Sequence, residues 1–256
     1  RAGGLVVEWS GPAGEPVVVI TLNRPQTRNS QTLQTWQGLT HIGDVLPDET
    51  RIVVVRGAES TFSSGLDRSA FDASSSFSMC GMAALPAEVL QEQIAQFQSG
   101  FTWLQDNTRV ISIAAVDGAA VGAGFQLALA CDLRIATPAA KFSMREAALG
   151  LVPDLTGTHP LVRLIGYARA LEICATSRWV SADEAHHWGL VNDVVDDLSG
   201  ATAALTGHLL SVNPSTLREL KALLQDARDL PPSTQRRREL EAQTRLIKQN
   251  FGTAST

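Results

Sequence analysis

Apolar, β-branched runs without polar alternation are the sequence feature that most constrains the fold of this chain. Residues 17–22, 52–55 and 110–116 form such runs, and segments with helical periodicity lie between them. Strands that are apolar on both sides are typical of a sheet covered on both faces, and alternation with helices favours parallel pairing. The sequence therefore predicts an α/β fold with a mostly parallel sheet. Two shorter strands are expected at 133–136 and 141–144.

Turn and cap residues divide the first part of the chain. The turn-rich residues 10–16 between Leu5–Trp9 and Val17–Leu22 predict a hairpin with a longer loop. Ser30 can cap the helix that follows, and Pro47 can end it. The apolar face of that helix is expected to comprise Leu33, Trp36, Leu39, Ile42 and Leu46.

The later part of the chain is mainly helical. A second helix is expected over residues 86–106, and helical signals dominate after residue 161. Residues 68–86 are rich in Ser, Ala and Phe with little periodicity, which predicts a mobile loop or irregular helix. The 256 residues suffice for one α/β domain with a helical extension or for two domains.

Composition excludes several classes of protein. The formal net charge is −5 with both signs scattered along the chain, which argues against a nucleic-acid or membrane-surface binder. Three widely spaced cysteines among apolar neighbours predict reduced core thiols. The histidines are not part of a metal-ligand motif, so no metal site is expected. No apolar run approaches the roughly 20 residues of a spanning helix, so we expect a cytoplasmic protein.

Three polar or glycine-containing segments follow predicted strands: residues 61–68, 117–126 and 142–154. In an open α/β sheet, ligands bind at the carboxyl ends of the strands. The second segment is a glycine-rich turn that leads into a helix, and the free amides of a helix N-terminus suit an anion or a developing oxyanion. Close packing explains the glycines equally well. A dinucleotide fingerprint is disfavoured because the bulky Leu127 occupies the place of its third glycine.

A set of short motifs lies along nearly the whole chain. They are ITLNRP at 20–25, RNS at 28–30, FSSGLD at 62–67, DGAAVGAG at 117–124, ACDLR at 130–134, KFS at 141–143, GLVP at 150–153, SADEA at 181–185 and WGLV at 188–191. Each motif is weak alone, but their order and spacing are specific. Together they strongly resemble the crotonase, or enoyl-CoA hydratase/isomerase, superfamily.

The resemblance implies a fold and an assembly. It implies a ClpP/crotonase-type spiral of ββα units over residues 1–200 and a C-terminal helical region over residues 201–256 that forms a homotrimer or a dimer of trimers. It also implies an acyl-CoA thioester as substrate, with coenzyme A as part of that substrate and no separate cofactor. No nucleic-acid or membrane partner is expected.

The resemblance further implies which residues hold the substrate. Its thioester carbonyl would accept hydrogen bonds from the main-chain amides of Leu66 and Ala123, which fits the physics of an oxyanion hole. Arg24, Arg28 and Arg68 could supply charge for the coenzyme A phosphates. The substrate-binding residues expected in this way are Arg28, Ser64, Gly65, Leu66, Asp67, Arg68, Gly122, Ala123 and Gln126.

The acidic residues distinguish between the reactions of the family. A hydratase of this family uses two glutamates around one water, but the first of these positions holds Gln126, which cannot accept a proton. The second position holds Glu146. An acid at the position of Asp154 resembles the dienoyl-CoA isomerases and the phenylacetate-pathway epoxide isomerases, in which it serves as a proton-transfer group. We therefore favour double-bond isomerisation, with Asp154 as the principal proton shuttle and Glu146 as its partner.

Alternatives to this interpretation remain. Asp154 could instead cap a helix near residues 156–161. The chain could be a hydratase with an altered first acid, or a catalytically silent acyl-CoA-binding protein. A serine hydrolase is disfavoured because the sequence lacks Gly-x-Ser-x-Gly and gives Ser63 and Ser64 no evident histidine partner. Phe71, Phe77 and Met79 suggest an apolar acyl group near them, but core packing explains these residues equally well.

Overall fold

The computed structural model describes residues 2–9, 16–227 and 229–252. Its strands are β1 (Leu5–Trp9), β2 (Val17–Leu22), β3 (Ile52–Gly57), β4 (Ile111–Val116), β5 (Ala119–Val121), β6 (Leu133–Ala136), β7 (Lys141–Ser143), β8 (Val180–Ser181) and β9 (Asp193–Val194). Its α-helices are α1 (Leu33–Asp44), α2 (Met79–Ala83), α3 (Ala87–Asp106), α4 (Ala123–Ala130), α5 (Thr158–Ile165), α6 (Tyr167–Thr176), α7 (Ala182–His187), α8 (Leu198–Ser211), α9 (Pro214–Asp226) and α10 (Pro232–Phe251).

The main sheet has the strand order β1-β2-β3-β4-β6-β9 and is parallel except for β1. β1 pairs antiparallel with β2, with Leu5 opposite Leu22. The predicted mostly parallel sheet and the pairing of the hairpin strands are therefore confirmed. Residues 10–15 of the predicted hairpin loop lie outside the described residues.

A second, three-stranded sheet has the order β5-β7-β8. β5 lies inside the segment that the sequence presented only as a glycine-rich turn, so that part of the prediction was wrong. Gly118 adopts φ +59° and turns the chain directly from β4 into β5, whose Ala120 pairs with Phe142 of β7. Both predicted short strands form, and the second ends at Ser143.

Helices cover both faces of the main sheet. On one face, Val18 and Val53 belong to the large core that includes α1, α3 and α4. On the other face, Val17 and Val54 pack with residues of α8 and α9. Every residue of α4 is buried, which places this helix at the centre of the molecule. The alternation of adjacent valines between two cores explains why the strands carry no polar residues.

Two local predictions were wrong. Thr32, not Ser30, caps α1, and it forms a capping box with Thr35. The Ser30 hydroxyl instead donates to Asp67 at 2.6 Å, a partner 37 residues away in sequence. Cys80 is exposed on α2 rather than part of the core.

Residues 68–86 contain a 3₁₀ turn (Arg68–Phe71) and α2. The predicted second helix forms as α3 with Pro86 at its N-cap.

Lys221 attaches α9 to the core. Its ammonium group is buried and donates to the carbonyls of Leu104, Asn107 and Val110 and to the Asp132 carboxylate at 2.8 Å. These acceptors lie at the end of α3, before β4 and after α4.

The predicted division of the chain at residue 200 falls within α8. The division itself and the trimer stay predictions.

Within residues 2–9, 16–227 and 229–252, no helix is both long and apolar enough to cross a membrane. In the same ranges, no cluster of three or more His, Cys, Asp or Glu residues could hold a metal ion.

We predict that Lys221→Met lowers the free energy of unfolding by about 3–5 kcal/mol, because it leaves buried acceptors without their donor. Urea denaturation monitored by circular dichroism measures the loss. Lys248→Met on exposed α10 is the matched control and should change stability by less than about 0.5 kcal/mol. Equal stability of the two variants would show that Lys221 does not anchor α9.

Candidate active site

A cavity of about 630 Å³ is lined by parts of all three segments that the sequence analysis selected. Such a volume is within the range of small-molecule sites. Of the predicted site residues, the cavity wall contains Ser64, Gly65, Leu66, Gly122, Ala123, Gln126, Glu146 and Asp154. Arg28, Asp67 and Arg68 are not part of this wall. Their predicted contacts with the substrate stay predictions.

The first loop of the cavity is held by residues 27–31. Asn29 donates from its side chain to the carbonyls of Ala58 and Thr61 at 2.9 and 2.6 Å. The Gln31 amide donates to the Gly65 carbonyl at 2.7 Å, and the Gln31 carbonyl accepts from the Asp67 amide at 2.8 Å. The resemblance suggested that the segment near Arg28 contacts coenzyme A. In the structure, its main chain also fixes the loop that contains Leu66.

Two glycines shape the turns that carry Leu66 and Ala123. Gly65 and Gly122 have φ angles of +86° and +50°, which favour glycine. A Cβ at Gly65 would lie 2.5 Å from the Val121 carbonyl oxygen and 3.6 Å from the Ala123 nitrogen, so the two turns are in contact.

Neither the Leu66 nor the Ala123 amide donates a hydrogen bond to any residue in the described ranges. Along the chain, the Leu66 amide is flanked by the Gly65 carbonyl and the Asp67 amide. Both of these groups form hydrogen bonds with the Gln31 main chain. The Ala123 amide is the first of α4, where helix geometry provides no acceptor. Two main-chain donors with no partner in residues 2–9, 16–227 and 229–252 therefore lie on adjoining turns of the cavity wall.

Glu146 is the more buried of the two acids at this cavity. It begins a 3₁₀ turn (Glu146–Leu149), is 9% exposed, and accepts a hydrogen bond from Gln126 Nε2 at 2.7 Å through Oε1. Its Oε2 atom is buried and has no partner among the described residues. Burial raises the pKa of Glu146, the charge of Asp154 raises it further, and the bond from Gln126 opposes the increase.

Asp154 lies at the mouth of the same cavity. Its side chain is exposed, yet the surrounding protein removes enough water to raise its pKa. Its carbonyl accepts from Gln98 Nε2 at 2.7 Å. The alternative in which Asp154 caps a helix is wrong, because α5 begins at Thr158 behind the N-cap Gly157 and has no side-chain cap.

Asp67 has a structural environment. It forms an ion pair with Arg24 at 2.8 Å and accepts from Ser30 Oγ at 2.6 Å. Burial by itself would raise the pKa of Asp67, but hydrogen bonds from Ser30, Ser69 and Arg24 outweigh it and hold the pKa well below its usual range. Arg24 is thus engaged within the loop, whereas Arg28 and Arg68 are exposed.

The far end of the cavity is apolar and aromatic. Trp36 contacts Phe77 and Phe97, with ring centroids 6.2 and 4.9 Å apart, and Met79 and Phe71 complete this part of the wall. Phe71, Phe77 and Met79 are the predicted neighbours of the acyl group, whereas Trp36 is predicted only to lie on a helix face. Trp36 and Phe97 have the helical spacing of core residues, so the sequence alone does not show that they line a cavity.

The family profile named "Enoyl-CoA hydratase/isomerase" matches residues 13–253. The chain is 32% identical over 228 residues to (E)-benzylidenesuccinyl-CoA hydratase of Thauera aromatica, covering 84% of this chain and 81% of that protein. The chain therefore belongs to the enoyl-CoA hydratase/isomerase family of acyl-CoA enzymes. The predicted family is confirmed.

Other relatives and solved structures extend the comparison. A peroxisomal fatty acid beta-oxidation multifunctional protein of Arabidopsis thaliana is 34% identical over 199 residues, which is 75% of this chain but 25% of that protein. The chain therefore spans only about a quarter of that relative. A candidate enoyl-CoA hydratase from Thermobifida fusca YX, solved in complex with CoA, has a TM-score of 0.89 and 43% identity and covers 96% of this chain and 94% of that one. The same enzyme was also solved in complex with acetoacetyl-CoA. The predicted crotonase-like α/β fold is confirmed.

We predict that Glu146→Gln stabilises the protein at neutral pH. Folding raises the pKa of this carboxyl, so the free energy of unfolding falls as the pH rises from the unfolded-state pKa towards the raised pKa, and the loss is complete above the raised pKa. The neutral glutamine avoids this loss and can still accept from Gln126. We expect a higher Tm at neutral pH, by about 2–4 °C for each kcal/mol gained.

Differential scanning calorimetry from pH 4 to pH 8 checks this. The difference between Glu146→Gln and wild type should shrink as the pH falls and vanish below the ordinary carboxyl pKa of about 4.3, where Glu146 is neutral in both the folded and the unfolded chain. Glu92→Gln, which removes an exposed carboxylate, is the control and should leave Tm nearly unchanged. A Glu146→Gln protein that is less stable than wild type at neutral pH would contradict the argument.

Proposed function

We propose that this protein binds an enoyl-CoA thioester and shifts its double bond through an enolate intermediate. The observation that carries the proposal is the pair of amides, Leu66 and Ala123, which have no partner in the described part of the chain and line a cavity with Glu146 and Asp154. The Thermobifida fusca structures with CoA and acetoacetyl-CoA support a thioester ligand for this chain. The exposed Arg28 and Arg68 are the proposed contacts for the phosphates.

The two amides would stabilise the oxygen of the thioester enolate. Their orientation is set by the glycine turns before the substrate arrives, so no reorganisation is needed when negative charge develops. Removing one such donor typically costs roughly 10²–10³ in kcat. Because the donors belong to the main chain, the side chains of Leu66 and Ala123 can be apolar without loss of this function.

The proton transfers would be performed by the two acids. One carboxylate removes a proton from the carbon beside the thioester, the electrons move into a dienolate, and a carboxyl returns a proton to the carbon two positions further along. We assign Asp154 as the principal shuttle and Glu146 as its partner. Burial raises the pKa of both groups, and the charge of Asp154 raises that of Glu146 further, so an ionised Asp154 favours a neutral Glu146. No oxidation occurs, so the reaction requires no redox cofactor.

Gln126 favours isomerisation over hydration in this proposal. Hydration by two glutamates requires a second proton acceptor beside the water, and an amide cannot be one. The Gln126 carbonyl oxygen is also already bonded to the amides of Leu155 and Gly157. The aromatic end of the cavity favours an apolar acyl group, in agreement with the expectation from Phe77 and Met79.

We predict that Asp154→Asn and Glu146→Gln each lower kcat for 3-enoyl-CoA substrates by roughly 10²–10⁴-fold, with smaller changes in KM. Each change removes a proton-transfer group but keeps the shape of the side chain. Absorbance of the conjugated 2-enoyl thioester follows the reaction. Asp44→Asn, at the exposed end of α1, is the matched control and should retain wild-type kcat.

Different products separate the alternatives. Formation of a 3-hydroxyacyl-CoA from a 2-enoyl-CoA, without isomerisation, would identify a hydratase with an altered first acid. A silent binding protein would show a higher Tm with an acyl-CoA but no turnover of either substrate class. In that case neither acid substitution would affect anything except binding affinity.

A further inference from the structure

We infer that Gln126 is a positioning residue that fixes both acids of the proposed site at once. Gln126 lies on the central helix α4 and is 1% exposed. Its Nε2 donates to Glu146 Oε1 at 2.7 Å, and its Oε1 accepts from the Leu155 and Gly157 amides at 2.8 and 3.3 Å. One side chain therefore connects Glu146 with the loop that begins at Asp154.

The bond to Glu146 selects one orientation of its carboxyl group. Oε1 is occupied by Gln126, while Oε2 is buried and has no partner in the described part of the chain. Both oxygens lie beside the glycine turn, since a Cβ at Gly122 would be 3.2 Å from Oε1 and 3.8 Å from Oε2. Gln126 thus leaves one Glu146 oxygen available beside the turn that carries the Ala123 amide.

The bonds to Leu155 and Gly157 fix the Asp154 loop. Neither amide has another acceptor among the described residues, and Thr156 between them has a φ of +67°, which is strained for a β-branched residue. Gly157 is required for this contact, because a Cβ there would lie 2.7 Å from Gln126 Cγ. Without Gln126, the strained loop would lose both of these amide bonds.

A glutamate at position 126 would perform only half of this role. One of its oxygens could accept from the Leu155 and Gly157 amides. Its second oxygen would take the place of the Gln126 Nε2 donor and would therefore lie next to Glu146 Oε1. Two carboxylates this close cannot both be ionised, so they would share one proton. Glutamine supplies the donor at every pH, which a glutamate does only while it is protonated.

The pH dependence of kcat in Gln126→Glu tests this role, and this part rests on the proposed isomerase function. While the pair holds its shared proton, the carboxyl group introduced at position 126 can donate as the Gln126 amide does, and kcat should approach the wild-type value. As the pH rises through the upper pKa of the pair, that donor is lost, and kcat should fall about tenfold for each further pH unit. Wild type should lack this additional decrease and show only the decrease that the Glu146–Asp154 pair itself causes.

Amide hydrogen exchange provides a second readout that requires no turnover. In Gln126→Met, which has similar size but no hydrogen-bonding groups, exchange at Leu155 and Gly157 should accelerate roughly tenfold or more, because both bonds are lost. In Gln126→Glu these amides should remain protected. The kcat of Gln126→Met should fall by about 10²-fold without a new pH limb. Gln235→Met, on α10, is the matched control and should retain wild-type exchange and kcat.

Two results would overturn the inference. One is a Gln126→Glu enzyme whose pH profile matches that of wild type. The other is a Gln126→Met protein that has the wild-type circular dichroism spectrum and unchanged amide exchange at Leu155 and Gly157. If wild type has no isomerase activity, the exchange results still report on the loop. The proposed reaction and the role of Gln126 therefore fail separately.

Discussion

Direct contact between two backbone turns is the constraint on which the candidate site depends. Gly65 and the turn before α4 approach so closely that a single Cβ would overlap the Val121 carbonyl. The same approach brings together the turns that carry the Leu66 and Ala123 amides, and neither amide has an acceptor among the described residues. Unpaired main-chain donors are costly when they are kept from water. The fold tolerates them because strongly bonded segments surround both turns.

Those surrounding bonds come from residues whose roles are structural. The side chain of Asn29 and the main chain of Gln31 hold the first turn, and the fully buried helix α4 holds the second. The isolated parallel bridge between Ser63 and Ala120 connects the two. A rigid main chain around the donors is what preorganised stabilisation of an enolate requires, since donors that reorient during the reaction contribute less.

The parts of this structure that sequence could predict are those determined by local pattern. Apolar, β-branched runs gave β2, β3 and β4, because a strand covered on both faces has no polar position. Contacts between distant residues were not accessible in this way. Ser30 has the residue type of a helix cap, yet its hydroxyl bonds to Asp67, and β5 is short enough to be hidden within a glycine-rich segment.

The candidate site shows the same division. The glycines, Glu146 and Asp154 were identified from spacing and resemblance, because those residue types stand directly in the sequence. The partners of Gln126 lie 20 to 31 residues away and are brought together only by the packing of α4 against the following loops. Sequence therefore suggested that Gln126 replaces an acid but not which groups it connects.

The protonation of the two acids links this geometry to the proposed reaction. Burial raises the pKa of both groups, and the charge of Asp154 raises the pKa of Glu146 further, so ionisation of one acid disfavours ionisation of the other. The charge of an ionised Asp154 therefore favours the protonated form of Glu146. Isomerisation takes one proton from the substrate and returns one, so each turnover restores the protonation of the pair. Hydration instead must also accept and deliver the protons of a water molecule, a task for which the neutral Gln126 provides no group.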